Sequence, residues 1–179
     1  GDALAVSATY CGSIAAPAAL HTHPPPRHDA SAIAISSNST TTQPGISVDL
    51  VEACLGGDEA RARELAERFT GHGYAGSKLA LARWVRRNAP AWIADGIRLN
   101  AVSPGVIETP MTKNDMDFIF SIPDVFPIPI ARPGKPEEVA ATLAFLLSPE
   151  AGFFVGSVVF MDGGSDAATR ADDWPAIRS

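Results

Sequence analysis

A tyrosine and a lysine stand four residues apart in the run GHGYAGSKLALARWVRR, residues 71 to 87. On a helix, positions i and i+4 share one face a turn apart. The ammonium of Lys78 would then lie beside the phenol of Tyr74. A neighbouring cation favours the ionised form of an acid, and a tyrosine so assisted can give and take a proton near neutrality. Such pairs also arise by chance on helical faces, and the spacing alone leaves both readings open. Ser37, in AISSNS, offers a hydroxyl that could bond a substrate oxygen; it could equally close a strand by bonding local backbone. Thr109, before Pro110, is either a ligand hydroxyl or turn chemistry.

The elements that must position these groups are legible in outline. SAIAISS, followed by the polar NSTTTQPG, reads as a buried strand and a turn. ISVDLVEACLGGDEARARELAERF holds one or two helices parted by Gly56 and Gly57, the second charged outside and apolar at Leu65 and Phe69. The helix of Tyr74 and Lys78 is expected to run to about Ile93, with Pro90 removing one hydrogen bond and kinking it. GIRLNAVSPG is a second strand with a tight exit at Pro104 and Gly105, and GSVVFMDGG a third, its glycines needing positive φ. VIETPMTKNDMDFIFSIPDVFPIPI is irregular, a flap over residues 106–131. KPEEVAATLAFLLSPE is a helix with Pro136 at its first position and Glu137 and Glu138 complementing its dipole. LAVSATYCGSIAAPAALHT reads as a leading helix that Pro17 interrupts, and HPPPRHD as loop. Strands alternating with helices indicate parallel pairing through right-handed crossovers, an α/β architecture.

Bulk properties narrow the class. A chain of 179 residues with 46% hydrophobic content suits one folded domain. A net charge of −6 argues against nucleic acid or an anionic membrane surface as partner. Cys11 and Cys54 have no metal-ligand spacing and fit a reduced, cytoplasmic protein. His21, His23 and His28 lie in the proline-rich loop without matching carboxylates, so no metal site is expected. No apolar run is long enough to span a bilayer.

YAGSK after a strand ending ISS, then RLNAVSPGVIETPM, then KPEEVAATLAFLLSPEAGFFVGSVVFMDGG, resembles the C-terminal part of a short-chain dehydrogenase/reductase, in the family's order and from about Val6 to Asp166. Within the family the chain is most similar to the 3α-hydroxysteroid dehydrogenase/carbonyl reductase type. The basis is the wording of GGDEARARELAERFTGHGYAGSK and the long helical insert at residues 38–73, between Ser37 and Tyr74. The resemblance implies roles. Tyr74 matches the general acid/base. Lys78 matches the lysine that lowers the tyrosine pKa and bonds the cofactor ribose. Ser37 matches the serine on the substrate oxygen, with Ser36 as the alternative register. Pro104, Gly105, Val106, Ile107 and Thr109 match the strip that binds nicotinamide, Val106 and Ile107 through backbone and Thr109 through its hydroxyl.

The implied fold is α/β, the C-terminal portion of a doubly wound Rossmann-like parallel sheet with its first strands missing: one truncated domain over residues 1–179. The implied activity is hydride transfer between NAD or NADP and a carbonyl or secondary alcohol. The expected partner is a small hydrophobic, steroid-like substrate held under the flap's Phe118, Phe120 and Phe126, in a homodimer or higher oligomer. Two departures qualify this. Thr9 stands where the family has an asparagine that holds a relay water. No glycine-rich dinucleotide turn follows a strand, and no acidic residue is placed to read a ribose. The competing expectation is therefore an inactive fragment that acts by dimerising or by pairing its open AIAIS edge. A nucleotide-sugar epimerase shares the tyrosine–lysine spacing but lacks PGVIETPM and the terminal MDGG.

Overall fold

The computed structural model describes residues 30–68, 71–110 and 112–173. The expected leading helix, the proline-rich loop with its histidines, Thr9, Cys11, Phe69 and Met111 lie outside the described residues. Three parallel strands, β1 (Ala30–Ile35), β2 (Ile97–Pro104) and β3 (Val158–Met161), form a sheet in the order β1-β2-β3. Ile35 pairs with Val102, and Val102 in turn with Val159.

Strand alternation gives the sheet two different faces. Ala30, Ala32 and Ala34 of β1 and Ile97, Leu99 and Ala101 of β2 pack against one helical layer. That layer consists of α2 (Val48–Gly56), α3 (Glu59–Arg68) and α4 (Gly73–Ala94). The small residues of β1 let α4 approach closely. On the other face Ile33, Val102, Val159 and Met161 pack with Leu143 and Leu146 of α6 (Pro136–Leu147) and with Ala151. The expected fold class therefore stands: helices on both faces of a parallel sheet.

The two glycines do separate two helices. Gly57 adopts φ 81 and its N–H closes α2 on Ala53 and Cys54; Asp58 Oδ1 then accepts the Arg61 N–H at the start of α3. Three shorter helices were not expected. NSTTTQPG is not only a turn: α1 (Ser39–Thr42) forms there, because Asn38 O accepts from the N–H and the hydroxyl of both Thr41 and Thr42. The flap contains α5 (Met116–Ser121), and α7 (Ser165–Thr169) follows the third strand. Pro90 does not end α4, which continues to Ala94. Among the described residues no helix is long and apolar enough to cross a membrane, and no cluster of potential metal ligands occurs. Cys54 is buried, and burial pushes its thiol up to about 11, an inert core residue.

Candidate active site

Sheet geometry brings the sequence-selected residues to one place, the C-terminal edge of the parallel strands, where α/β folds bind ligands. Beyond Ile35 the chain stays tied to β2: Ser36 N–H donates to Val102 O at 2.8 Å and Asn38 N–H to Pro104 O at 2.9 Å. Ser36 Oγ donates to the backbone oxygen of Lys78 at 3.0 Å, stitching β1 to α4. Ser36 is thereby used for structure, which leaves Ser37 as the chemical candidate. Ser37 Oγ receives two hydrogen bonds, from Ser39 N–H at 3.2 Å and from Ser39 Oγ at 3.0 Å. Its own proton remains for an outside acceptor such as a carbonyl oxygen.

Tyr74 lies in the first turn of α4 and is 45% exposed, open to a ligand. Its backbone is held by Ser77 Oγ, which donates to Tyr74 O at 2.8 Å. The glycine between Tyr74 and Lys78 has a packing reason. A Cβ on Gly76 would come within 2.6 Å of Leu50 Cδ2, so any larger residue would force the Leu50 side chain to shift where α4 seats against α2. Lys78 Nζ stands 5.7 Å from the centroid of the Tyr74 ring and donates to Ile35 O at 2.8 Å. Burial holds the Lys78 amine below its ordinary value. Among the described residues no hydrogen bond joins Ser37 to Tyr74.

Residues 104–109 leave β2 under restraint from three sides. Pro104 O accepts from Asn38, and Gly105 N–H donates to Met161 O at 3.0 Å. A Cβ on Gly105 would meet Asp162 Cα at 2.8 Å, so the strip runs against the end of β3. Ile107 bridges Gly134, with Glu108 N–H donating to Gly134 O at 2.8 Å and Gly134 N–H to Val106 O at 2.9 Å. Val106 O is therefore engaged within the chain, as is Ile107 O, which accepts from the Thr112 hydroxyl. Among the described residues the N–H groups of Val106 and Ile107 have no hydrogen-bond partner. Thr109 Oγ1 meets Thr112 Oγ1 at 3.1 Å, and Thr109 N–H donates to that same oxygen at 3.1 Å.

Sequence reasoning passed over Thr112, whose signal was its three-residue spacing from Thr109. It also passed over Arg132, whose guanidinium grips Glu138 bidentately at 2.9 and 2.7 Å. That grip, with the Lys135 N–H on Glu138 Oε2 at 2.7 Å, fixes the segment around Gly134 that braces the strip. The Arg132 hydrogen bond above all, then the Lys135 N–H, holds the Glu138 carboxyl down to about 2.

The chain matches the profile of a family described as enoyl-(acyl carrier protein) reductase over residues 60–166. It is 38% identical over 150 residues to a 3-alpha-hydroxysteroid dehydrogenase/carbonyl reductase of Comamonas testosteroni, covering 80% of this chain and 58% of that protein. Among solved structures it is similar to a 3-alpha-hydroxysteroid dehydrogenase from Pseudomonas sp. B-0831 complexed with NADH. The TM-score is 0.85 at 40% identity, over 97% of this chain and 70% of that one. An L-sorbose reductase from Gluconobacter frateurii complexed with NADPH and L-sorbose matches at a TM-score of 0.63 and 26% identity, over 88% of this chain and 57% of that one. The chain thus spans well under two thirds of the curated relative's length.

Proposed function

The chain belongs to the short-chain dehydrogenase/reductase family, and on that premise we propose that it carries the catalytic residues of an NAD(P)-dependent oxidoreductase. The reaction interconverts a carbonyl and a secondary alcohol on a small hydrophobic substrate, with steroid-like molecules as the first class to test. The observation that carries this reading is the anchoring of Lys78 at Ile35 O, which sets the Tyr74 turn of α4 at the sheet end from which residues 104–109 depart.

Reduction builds negative charge on the carbonyl oxygen. Ser37 has a free proton to aim at that oxygen, and two preorganised donors there stabilise the charge as it develops. Tyr74 supplies the second donor and completes protonation. The Lys78 ammonium, beside the phenol, favours loss of the tyrosine proton. A bound nicotinamide cofactor supplies the hydride. Lys78 would hold its ribose, and the N–H groups of Val106 and Ile107 with the Thr109 hydroxyl its carboxamide end. The observation behind that fit is the engagement of the Val106 and Ile107 carbonyls within the chain, while their N–H groups have no partner among the described residues. Pro104 and Gly105 set its direction.

A second reading, a module that works by dimerising or pairing with another chain, is supported by the outer edge of β1. That edge has no strand neighbour among the described residues. One experiment separates the two: measure light scattering of the 179-residue chain, titrate it with NADH and NADPH, and follow cofactor oxidation with a panel of cyclic ketones. On these residues alone we expect cofactor binding at about millimolar strength, since the nicotinamide strip is the contact set in view. Turnover that saturates with ketone supports the enzyme. Stable dimers without turnover, at cofactor concentrations that saturate the strip, support the module.

A further inference from the structure

A cavity of about 510 Å³ adjoins the site, bordered by the residues next to Ser37 and before Tyr74 and by Val106 of the strip. Its two walls differ. The flap contributes Ile119, Val125, Phe126 and Ile128, an apolar side. The opposite side comes from α1, the start of α4 and α7: Ser39, Thr42, Gln43, His72 and Ser165.

The hydroxyl protons on that polar side point into the protein, as does one of the two Gln43 Nε2 protons. Thr42 Oγ1 donates to Asn38 O at 3.1 Å, Ser39 Oγ to Ser37 Oγ at 3.0 Å, and Ser165 Oγ to Asp162 O at 2.9 Å. Gln43 Nε2 donates to Gly71 O at 2.8 Å. His72 Nδ1 faces Gly45 O at 2.8 Å. A carbonyl only accepts, so Nδ1 carries the proton, and the neutral imidazole keeps Nε2 as a bare acceptor. Asn38, also on the cavity, holds its Nδ2 beside Gly105 and is, with the second Gln43 proton, the donor on a wall otherwise made of acceptors. What faces the cavity is therefore dominated by lone pairs. A ligand that covers them without bringing a donor leaves acceptors desolvated and unpaired, which is where polar recognition discriminates most strongly.

We propose that this wall reads hydrogen-bond donors: the cavity takes a small, largely apolar carbonyl or alcohol that carries a second hydroxyl on the edge facing α1, with His72 Nε2 as the specificity-determining acceptor. The proposal rests on the reading that this cavity seats the substrate, and its test needs neither cofactor nor turnover.

The probes are 4-(4-hydroxyphenyl)cyclohexanone and its methoxy counterpart, which share ketone and apolar body and differ in one donor. Ligand-observed NMR on the 179-residue chain gives both affinities. The phenol is expected to bind about tenfold more tightly than the ether, and His72→Phe to bring the ratio close to one with ether binding retained. Thr42→Val, which removes a lone-pair donor site from the same wall, lowers the ratio in smaller measure and serves if His72→Phe does not fold. Equal affinities in the unaltered chain, a ratio untouched by both substitutions, or no binding of either probe overturns the proposal. A chain that prefers the phenol yet transfers no hydride overturns the oxidoreductase reading and leaves the donor-reading wall intact.

Discussion

Lys78 Nζ donates to the backbone oxygen of Ile35 at 2.8 Å across 43 residues of sequence. Ser36 and Asn38 both direct their N–H groups to β2. In a parallel ladder alternate residues face alternate sides, so Ile35 turns its carbonyl outward from β2. That oxygen would be an orphan at the sheet edge, and an unpaired backbone acceptor is costly. The ammonium satisfies it, and in doing so is fixed 5.7 Å from the centroid of the Tyr74 ring.

The amine should titrate below the ordinary lysine value because burial disfavours its charged form. The folded pKa lies below the unfolded one, so between the two the unfolded chain binds the extra proton and stability rises with pH. Below the folded pKa both states are protonated and this contribution is level. Resonances of the Lys78 ε-position followed against pH, with urea unfolding over the same range, check both. A midpoint at or above 10.5 contradicts the burial argument.

Tyr74→Phe keeps the ring and deletes the hydroxyl. In a protein that turns over, it should lower kcat by about 10²–10⁴-fold with cofactor affinity and Tm nearly unchanged. Wild-type turnover in the variant would remove Tyr74 from the chemistry.

Glu138 contributes stability as a carboxylate, fully present above pH 4.5 and lost as the pH falls towards about 2, because its folded pKa is depressed by Arg132 and the Lys135 N–H. Glu138→Gln should flatten the acid limb of the stability profile in that window. Chemical unfolding at closely spaced pH values reads the difference, and parallel acid limbs would show that the Arg132 grip adds nothing.

Arg98 is buried and satisfies three carbonyls at once, Leu146 O at 3.0 Å, Ala151 O at 2.9 Å and Ser148 O at 3.0 Å. These carbonyls close the end of α6 and the turn after it, and each accepts one further bond: Leu146 O from Ser31 Oγ at 3.2 Å, Ser148 O from Ala151 N–H at 3.3 Å and Ala151 O from Phe154 N–H at 3.0 Å. Arg98→Met keeps the packing and removes three charge-assisted hydrogen bonds, and should cost about 3 kcal/mol by denaturant unfolding. A change within about 0.5 kcal/mol would mean that water replaces the guanidinium.

Gly105→Ala places a Cβ 2.8 Å from Asp162 Cα, which is backbone and cannot swing aside. Overpacking of this kind should cost about 1–3 kcal/mol and displace the strip. Amide shifts confined to residues 105–109 and 161–163 would report it, and an unperturbed spectrum would refute the close approach.

Local pattern was enough for much of this fold. The alternation in SAIAISS and GIRLNAVSPG, the caps around PEEVAATLAFLL and the glycine pair after Leu55 define strands and helices through periods of two and 3.6 residues, and the tyrosine–lysine spacing places two groups on one helical face. Periodicity does not say what that face meets. The bonds that wind α1 on Asn38 and leave Ser37 its proton are local and need only the turn to form, whereas the engagement of Ser36 by Lys78 O and the anchoring of Lys78 at Ile35 O depend on strand register and helix docking. So does the cavity wall of His72, Thr42 and Ser165, whose members lie far apart in sequence. Residue type and spacing determine which groups this chain can bring to a reaction. Which of them are tied to distant backbone, as Ser36 is to Lys78 O and Lys78 to Ile35 O, is decided only when packing brings strand and helix within reach.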